Sequence, residues 1–333
     1  MFPSPSYPTP VRACPELGNA RAELWVKNDG LSHPSYGGNK VRKAERIVTE
    51  ALRRGSRRVL SFGAVGSHHL LTLTLFARAA GLGSAAVVFS QPNSAHALDT
   101  FRASLGAGLE AYPARSPLSI PWVLARAWRR GDYVVAPGGS NLIGARACAA
   151  AVTELREQIS KSVLPCPDLI VVPLGSGGTF GGIAAGVMAE GLATRVLGVQ
   201  VVGGPGPRLA GRWLARRVLQ ATGFGALTGE LDRRLAFDAD YVGAGYGVET
   251  EAGVRATAIA NELGLALDQT YTAKAFAKVL DLLANASPVA TERGSRPLRI
   301  LYWHTLAATS LDQLLHGAPN EKELPKSLRQ LLR

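Results

Sequence analysis

The chain has 333 residues, of which 47% are hydrophobic and 19% are charged, so it can bury one large core or two smaller ones. This composition excludes an intrinsically disordered protein. The formal net charge is +12, but the basic residues are spread along predicted helices as pairs of arginines. We therefore expect solvated helix faces that attract small anions, and no specific binding of nucleic acid.

Cysteine content and the N-terminal sequence indicate the cellular compartment. Cys14, Cys148 and Cys166 are scattered and include no CxxC pair, which argues against a disulfide framework and against a zinc site. Residues 1–10 lack the basic start and the apolar middle of a signal peptide. No window approaches the roughly 18 apolar residues that cross a bilayer. We expect a cytoplasmic protein that does not enter a membrane.

Short apolar segments alternate with longer amphipathic segments, which is typical of an α/β fold with open, mostly parallel sheets flanked by helices. In chain order, the predicted strands are 23–26, 58–62, 85–89, 133–136, 169–173, 196–201 and 298–303. The predicted helices are 41–54, 68–80, 95–105, 142–159, 182–189, 209–221, 251–263 and 274–284. The segment 161–167 interrupts this alternation and is the predicted crossing between two lobes.

A glycine-rich turn, Gly37-Gly38-Asn39-Lys40, leads into the first long predicted helix. The two glycines allow a ligand to approach the main chain closely. A lysine at a helix N-terminus lies in a positive potential, which lowers the pKa of its amine from about 10.4. Such a lysine suits Schiff-base chemistry, which needs an uncharged amine. A plain turn with a solvated lysine is the alternative.

A second glycine-rich loop, GSGGT at 175–179, follows a predicted strand and precedes a predicted helix. Main-chain amides and the helix dipole favour a phosphate group at such a place. The dinucleotide pattern GxGxxG fails at Phe180, and no Walker lysine follows. We expect a site for a single phosphate group, with a tight packing turn as the alternative.

Further candidate residues lie at other predicted turns. Ser67 precedes a predicted helix, where its hydroxyl suits a carboxylate, although a helix-capping serine would look the same. The adjacent His68 and His69 cannot both face one metal ion from a helix, so we reject a metal site there. Tyr246 and Tyr271 are candidate hydrogen-bonding or stacking groups, or else packing residues.

In this order, the segments resemble the fold-type II pyridoxal-phosphate enzymes, and within them the family of 1-aminocyclopropane-1-carboxylate deaminase and D-cysteine desulfhydrase. The resemblance covers about 24–305 and rests on GGNKVRKAE, GAVGSHH, APGGSNLIGA, PLGSGGTFGG, VGAGYG and LALDQTYTAKA. It implies the two-lobe architecture of the tryptophan synthase β subunit. A larger lobe of 1–45 and 150–333 would bind the cofactor, a smaller α/β lobe of 46–149 would be inserted, and the chain would form a homodimer.

The resemblance also implies how the cofactor is held. Lys40 would form the Schiff base with pyridoxal 5'-phosphate and would then move the α-proton of the substrate. Lys43 would add positive charge near the phosphate. The phosphate itself would be bound by Gly175, Ser176, Gly177, Gly178 and Thr179.

Five further residues would meet the substrate, which is expected to be a small amino acid. Ser67 would contact its carboxylate and take part in proton transfer, with His68 and His69 beside it. Tyr246 and Tyr271 match the two active-site tyrosines of the family and would face the substrate.

Thr272 stands where the deaminases carry a glutamate that keeps the pyridine nitrogen protonated. We expect the threonine hydroxyl to hydrogen-bond an uncharged nitrogen, which gives a weaker electron sink.

Three departures from the family pattern mark this chain as a divergent member. His68 replaces an asparagine that normally bonds the phenolic oxygen of the cofactor, Ala273 replaces a glycine, and Leu306-Ala307 replaces a glycine pair, which would reshape the pocket.

The expected reaction is β-elimination from a D-cysteine-like amino acid, which gives pyruvate, ammonia and sulfide. A weaker electron sink suits this reaction better than the opening of a cyclopropane ring. Deamination of 1-aminocyclopropane-1-carboxylate, racemisation and β-replacement are the alternative activities. A protein that binds the cofactor without catalysis is the last alternative.

Overall fold

The structure, a computed structural model, describes residues 4–292 and 294–332. Residues 1–3 and 333, which the sequence analysis placed at the ends of the larger lobe, lie outside the described residues, as does 293. The strands are β1 (Val11–Ala13), β2 (Ala22–Asn28), β3 (Arg58–Ala64), β4 (Gly83–Phe89), β5 (Leu109–Ala114), β6 (Asp132–Val134), β7 (Leu169–Leu174), β8 (Arg195–Gln200), β9 (Leu235–Asp238), β10 (Val289–Thr291), β11 (Gly294–Arg296) and β12 (Leu298–His304). The helices are α1 (Lys40–Arg53), α2 (His68–Ala79), α3 (Ala95–Gly106), α4 (Ile120–Ala127), α5 (Leu142–Ser160), α6 (Gly178–Ala189), α7 (Gly206–Ala221), α8 (Leu231–Arg234), α9 (Glu251–Glu262), α10 (Thr272–Asn285), α11 (Asp312–Leu315) and α12 (Lys326–Arg329).

The α/β class and all of the predicted strands and helices are confirmed, with small differences at their ends. The strands that the prediction missed include β1, β5 and β9, which lie at sheet edges. Edge strands need fewer buried apolar residues, and β5 also contains Pro113, so their sequence signal is weak. Helix α6 begins at Gly178, before its predicted start, because glycines weaken the helical signal of a sequence.

Contacts divide the chain into two units. The first unit contains Lys40–Gly144 and the segment from Thr309 onward, and the second contains Pro5–Asn39 and Ala145–Ala308. The expected smaller lobe, 46–149, did not include the C-terminal segment. This segment belongs to the first unit because its leucines pack in a core with residues of α2, α3 and the sheet; they are Leu324, Leu328, Leu331 and Leu332.

The first unit is built on a four-stranded parallel sheet with the order β5-β4-β3-β6. Apolar residues of α1, α2 and β3 form one of its cores. Strand β3 ends at Ala64 and α2 begins at His68. The connection therefore places Ser67, His68 and His69 at the carboxyl edge of the sheet, where ligands of α/β proteins commonly bind.

The second unit is built on a six-stranded sheet with the order β1-β2-β12-β7-β8-β9. All neighbouring strands are parallel except β1 and β2. Because β2, β12 and β7 are parallel neighbours, the loops that follow them share one edge of this sheet. These loops are 29–39, 305–308 and 175–177.

Helices α6 and α7 pack main chain against main chain. A Cβ atom added at Gly181 would lie 2.5 Å from the carbonyl oxygen of Gly211. A Cβ atom at Gly211 would lie 2.8 Å from the ring of Phe180. Glycine is therefore required on both helices, and this packing supports the N-terminus of α6.

We predict that Gly181→Ala lowers the free energy of unfolding by about 2 kcal/mol, because the main chain must move to admit the methyl group. The matched control is Gly206→Ala in α7, where nothing lies within 4 Å of the added Cβ atom. This control should match or exceed the parent in stability. Chemical denaturation measures both variants, and equal stability of the two would contradict the packing argument.

Candidate functional site

The N-terminus of α6 has the features of an anion site. Its N-cap residue, Gly177, has φ +87°, and no side chain caps the helix there. A Cβ atom at Gly177 would lie 2.6 Å from the main-chain nitrogen of Gly211. Both conformation and space thus require glycine, and the helix dipole at this end favours a negatively charged group.

Asn39 links two of the loops at the carboxyl edge of the second unit's sheet. Its Nδ2 donates a hydrogen bond to Oγ1 of Thr179, 2.8 Å away, and its main-chain N–H donates to the carbonyl of Thr305. The sequence analysis quoted Asn39 within the GGNK turn but assigned it no role. Asn39 is the residue before Lys40, so the turn and the α6 loop are joined by a side-chain contact.

The turn that contains Asn39 also depends on glycines. A Cβ atom at Gly37 would lie 1.8 Å from the carbonyl oxygen of Gly30, and one at Gly30 would lie 2.6 Å from the carbonyl oxygen of Leu306. Gly38 has φ +95° and faces the carbonyl of Thr305. Leu306 is not a glycine, but the main chain at Leu306 still packs closely against this turn. It can do so because the residues that face it, Gly30 and Gly38, are glycines.

Tyr246 and Tyr271 lie together beside the glycine loop. Their hydroxyl oxygens are 2.9 Å apart, and their rings meet edge to face. Burial raises the pKa of both phenols, and that of Tyr271 lies well above its ordinary value of 10.0. Both hydroxyls therefore stay protonated at neutral pH. The ring of Tyr271 lies 3.0 Å from the position that a Cβ atom of Gly175 would take.

The hydroxyl hydrogen of Thr272 is used within the protein. Thr272 Oγ1 donates to Oδ2 of Asp268 at 2.7 Å and accepts from the main-chain nitrogen of Asp268. The carboxylate of Asp268 also accepts from the main-chain nitrogens of Thr270 and Tyr271. The sequence analysis expected the Thr272 hydroxyl to donate a hydrogen bond to the cofactor. A hydroxyl whose hydrogen goes to a carboxylate can only accept a hydrogen bond from another group, through its remaining lone pair. The sequence analysis assigned no role to Asp268, although aspartate commonly accepts hydrogen bonds from main-chain nitrogens two or three residues later in a turn.

Two of the candidate residues in the first unit have internal partners. Ser67 caps α2, because its Oγ accepts from the main-chain nitrogen of Leu70. His69 is buried, and its Nε2 lies 3.2 Å from Oγ of Ser61, which itself donates to the carbonyl of Val135. His69 therefore donates from Nε2. Its pKa lies well below the ordinary value, chiefly because of burial.

Lys43 and Lys40 both contribute to the electrostatics around His69, since their positive charges lower its pKa further. Lys43 is buried, and its Nζ donates to the carbonyl of Gly138 at 3.1 Å. Gly139, with φ +62°, lies against the side chains of Lys43 and His69. Lys43 thus has a main-chain partner inside the first unit, and its contribution to a phosphate site stays a prediction.

His304, at the end of β12, is a buried polar residue whose Nδ1 has no hydrogen-bond partner. Its ring lies 6.0 Å from that of Tyr302. Burial lowers the pKa of His304 to about 4. An orphaned buried nitrogen at the edge of the sheet that carries the glycine loop is typical of a ligand site.

We predict that His304 makes stability depend on pH. Between pH 6.5 and about 4 the unfolded chain protonates this imidazole while the folded chain does not, so stability falls as pH falls. The total contribution is about 3 kcal/mol. The free energy of unfolding should therefore fall less for His304→Gln than for the parent over this range. The control His316→Gln changes an exposed residue, and its free energy of unfolding should fall as much as that of the parent. Parallel curves for parent and His304→Gln would contradict the assignment.

Within 4–292 and 294–332, no three His, Cys, Asp or Glu side chains are grouped so that they could hold a metal ion. No helix in the described part of the chain is both long enough and apolar enough to cross a membrane.

The chain is similar over most of its length to several known proteins. Residues 4–292 match the family described as pyridoxal-phosphate dependent enzyme. The nocardicin C-9' epimerase of Nocardia uniformis subsp. tsuyamanensis is 31% identical over 95% of this chain and 96% of its own. The D-cysteine desulfhydrase of Salmonella paratyphi C is 30% identical over 91% of this chain and 93% of its own. A crystal structure of an ACC deaminase homologue superposes with a TM-score of 0.76, 26% identity and 95% coverage of both chains.

The family match spans most of the chain, and both relatives match nearly their full lengths. The observed parallel sheets, the glycine loop that precedes α6 and the lysine that begins α1 are the elements that the resemblance implied. The chain belongs to the pyridoxal-phosphate dependent enzymes of fold type II, as a divergent member of the group that includes D-cysteine desulfhydrase and ACC deaminase.

Proposed function

We propose that the protein catalyses β-elimination from a small amino acid of the D-cysteine type, consuming one water and releasing pyruvate, ammonia and sulfide. The observation that carries this proposal is the hydroxyl of Thr272, which offers a neutral oxygen where a glutamate would offer a carboxylate. The similarity to a D-cysteine desulfhydrase supports the same reaction.

The residues of the second unit fit pyridoxal 5'-phosphate. The N-terminus of α6 suits its phosphate, with Gly175, Ser176, Gly177, Gly178 and Thr179 as the binding residues. Asn39 orients the hydroxyl of Thr179 through its hydrogen bond. The orphaned Nδ1 of His304 is a further polar atom available to a bound group. The bound cofactor withdraws electrons from the Cα atom of an attached amino acid, which acidifies its α-proton.

Lys40 supplies the amine that binds the cofactor and, once released, takes the α-proton at its Nζ. Its position as the first residue of α1 lies in the positive potential of the helix N-terminus, which disfavours the charged ammonium. Ser67 presents a hydroxyl at the start of α2, where it binds the substrate carboxylate. His68 and His69 lie at the same helix start, and Lys43 adds positive charge in this unit.

Thr272 determines how strongly the cofactor ring holds a proton. Since its hydroxyl hydrogen goes to Asp268, its oxygen would accept a hydrogen bond from a protonated ring nitrogen. A hydrogen bond to a neutral oxygen is about half as strong as one to a carboxylate. Held in this way, the ring would be a moderate electron sink, which would suffice when a good leaving group departs from the β-carbon and would disfavour opening of a cyclopropane ring.

Inversion at Cα is the second candidate function. Tyr246 and Tyr271 form a pair of protonated phenols, and one of them donates its hydrogen to the other. Such a pair can donate a proton to the face of Cα that meets the tyrosines. A racemase or epimerase requires a proton donor of this kind. The 31% identity to an epimerase supports this candidate.

We further propose, from the resemblance, that the protein forms a homodimer and works in the cytoplasm.

We predict that the protein loaded with pyridoxal phosphate converts D-cysteine to sulfide and pyruvate in equal amounts. The assay measures both products and includes chiral chromatography of the remaining amino acid. A parallel reaction with 1-aminocyclopropane-1-carboxylate tests for 2-oxobutyrate. Lys40→Ala serves as the control without turnover, and Lys161→Ala, at an exposed position, serves as the matched control with full turnover.

Each other outcome contradicts the proposed reaction in a different way. Formation of 2-oxobutyrate without sulfide would establish deaminase chemistry instead. Inverted amino acid without pyruvate would establish the second candidate. Binding of the cofactor with no change in any of these amino acids would show that their turnover is not the function.

A further inference from the structure

His68 and His96 form a side-chain pair in the first unit. The sequence analysis assigned no role to His96. The structure places the two Nε2 atoms 2.9 Å apart, with ring centroids separated by 4.9 Å and ring planes tilted by 36°. His68 is the first residue of α2, and His96 lies in the first turn of α3. The pair therefore joins the starts of two helices.

Both helix starts are held in place by their own caps. Oγ of Ser67 accepts from the main-chain nitrogen of Leu70, and Oγ of Ser94 accepts from that of Ala97. Gly66 allows the two starts to approach, because a Cβ atom there would lie 2.8 Å from Cβ of Ala97. The geometry of the histidine pair thus follows from two capped helices and one obligatory close contact.

The pairing restricts the tautomers of the two imidazoles. Two neutral imidazoles can share an Nε2 to Nε2 hydrogen bond only if one carries its hydrogen on Nε2 and the other carries it on Nδ1. Each ring therefore determines the hydrogen position of the other. His69 does not compete for this role, because its Nε2 is engaged with Ser61.

We infer that His96 is a positioning residue that fixes the ring orientation and the tautomer of His68. This inference rests on the proposed function, in which His68 stands where related enzymes carry an asparagine toward the phenolic oxygen of the cofactor. An asparagine amide has fixed donor and acceptor atoms, whereas a lone imidazole can exchange tautomers. The His68–His96 pair limits this exchange, because a change of tautomer in one ring requires a matching change in the other.

Burial does not account for this contact. His96 is exposed and His68 is half-buried, so water could satisfy both rings without the pair. A hydrogen bond formed in competition with water contributes little to stability, so its removal should leave the unfolding transition nearly unchanged. A purely structural role therefore predicts no effect on the tautomer of His68 or on the cofactor.

The first test measures the histidine tautomers directly. The protein without cofactor, labelled with ¹⁵N-histidine, is examined by long-range ¹H–¹⁵N correlation at neutral pH. We expect complementary single tautomers for His68 and His96, and a tautomer mixture for His68 in His96→Ala. His96→Asn, which keeps a donor and an acceptor for Nε2 of His68, should shift the His68 spectrum back toward that of the parent. An unchanged His68 spectrum in His96→Ala would overturn the inference.

The second test measures the cofactor. We expect His96→Ala to weaken binding of pyridoxal phosphate by about tenfold and to shift the absorption band of the bound cofactor. In the His68→Asn background, His96→Ala should change neither quantity, because an asparagine needs no partner to fix its amide. His316→Ala, at an exposed position near α11, is the matched control and should behave as the parent.

Failure of the two proposals can be distinguished. An equal effect of His96→Ala in both backgrounds would overturn the positioning role while leaving the enzyme assignment intact. A parent protein that shows complementary tautomers but binds no pyridoxal phosphate would instead overturn the proposed function, and the positioning role with it.

Discussion

The close approach of main chain to main chain at the Gly37-Gly38 turn is the constraint on which the second unit's site depends. With 1.8 Å between a hypothetical Cβ atom of Gly37 and the carbonyl oxygen of Gly30, no other residue fits without moving the main chain. The turn leads directly through Asn39 into Lys40. A second close contact, between Gly30 and the carbonyl oxygen of Leu306, joins this turn to the 305–308 loop, so the segments after the adjacent strands β2 and β12 are ordered together.

The site's chemistry combines this rigid main chain with hydrogen bonds whose directions are determined. Asp268 takes the hydrogen of Thr272, Asn39 donates to Thr179, and the two tyrosines share one hydrogen between their oxygens. Because the hydroxyl hydrogen of Thr272 and an amide hydrogen of Asn39 are engaged within the protein, the polarity that a ligand meets at Thr272 and Thr179 is set before it binds. The same principle applies in the first unit, where Ser61 and His96 each engage one histidine.

The sequence predicted the buried elements well and the side-chain pairs poorly. Apolar periodicity identified β3, β4, β7, β8 and β12, because parallel strands are buried on both faces. The glycine-rich motifs also predicted where main-chain contacts would be close. By contrast, the contact of His68 with His96 spans 28 residues and that of Asn39 with Thr179 spans 140, so no local pattern reveals them. The acceptor role of Thr272 depends on where its single hydrogen points, which only the position of Asp268 decides.

The most direct test of the account is to locate the covalent bond between protein and cofactor. The protein is incubated with pyridoxal 5'-phosphate, reduced with borohydride, digested and mapped by mass spectrometry. We predict one modified residue, Lys40, and loss of the modification in Lys40→Ala. Modification of Lys43 or Lys274 instead, or of no lysine, would contradict the assignment of the catalytic amine.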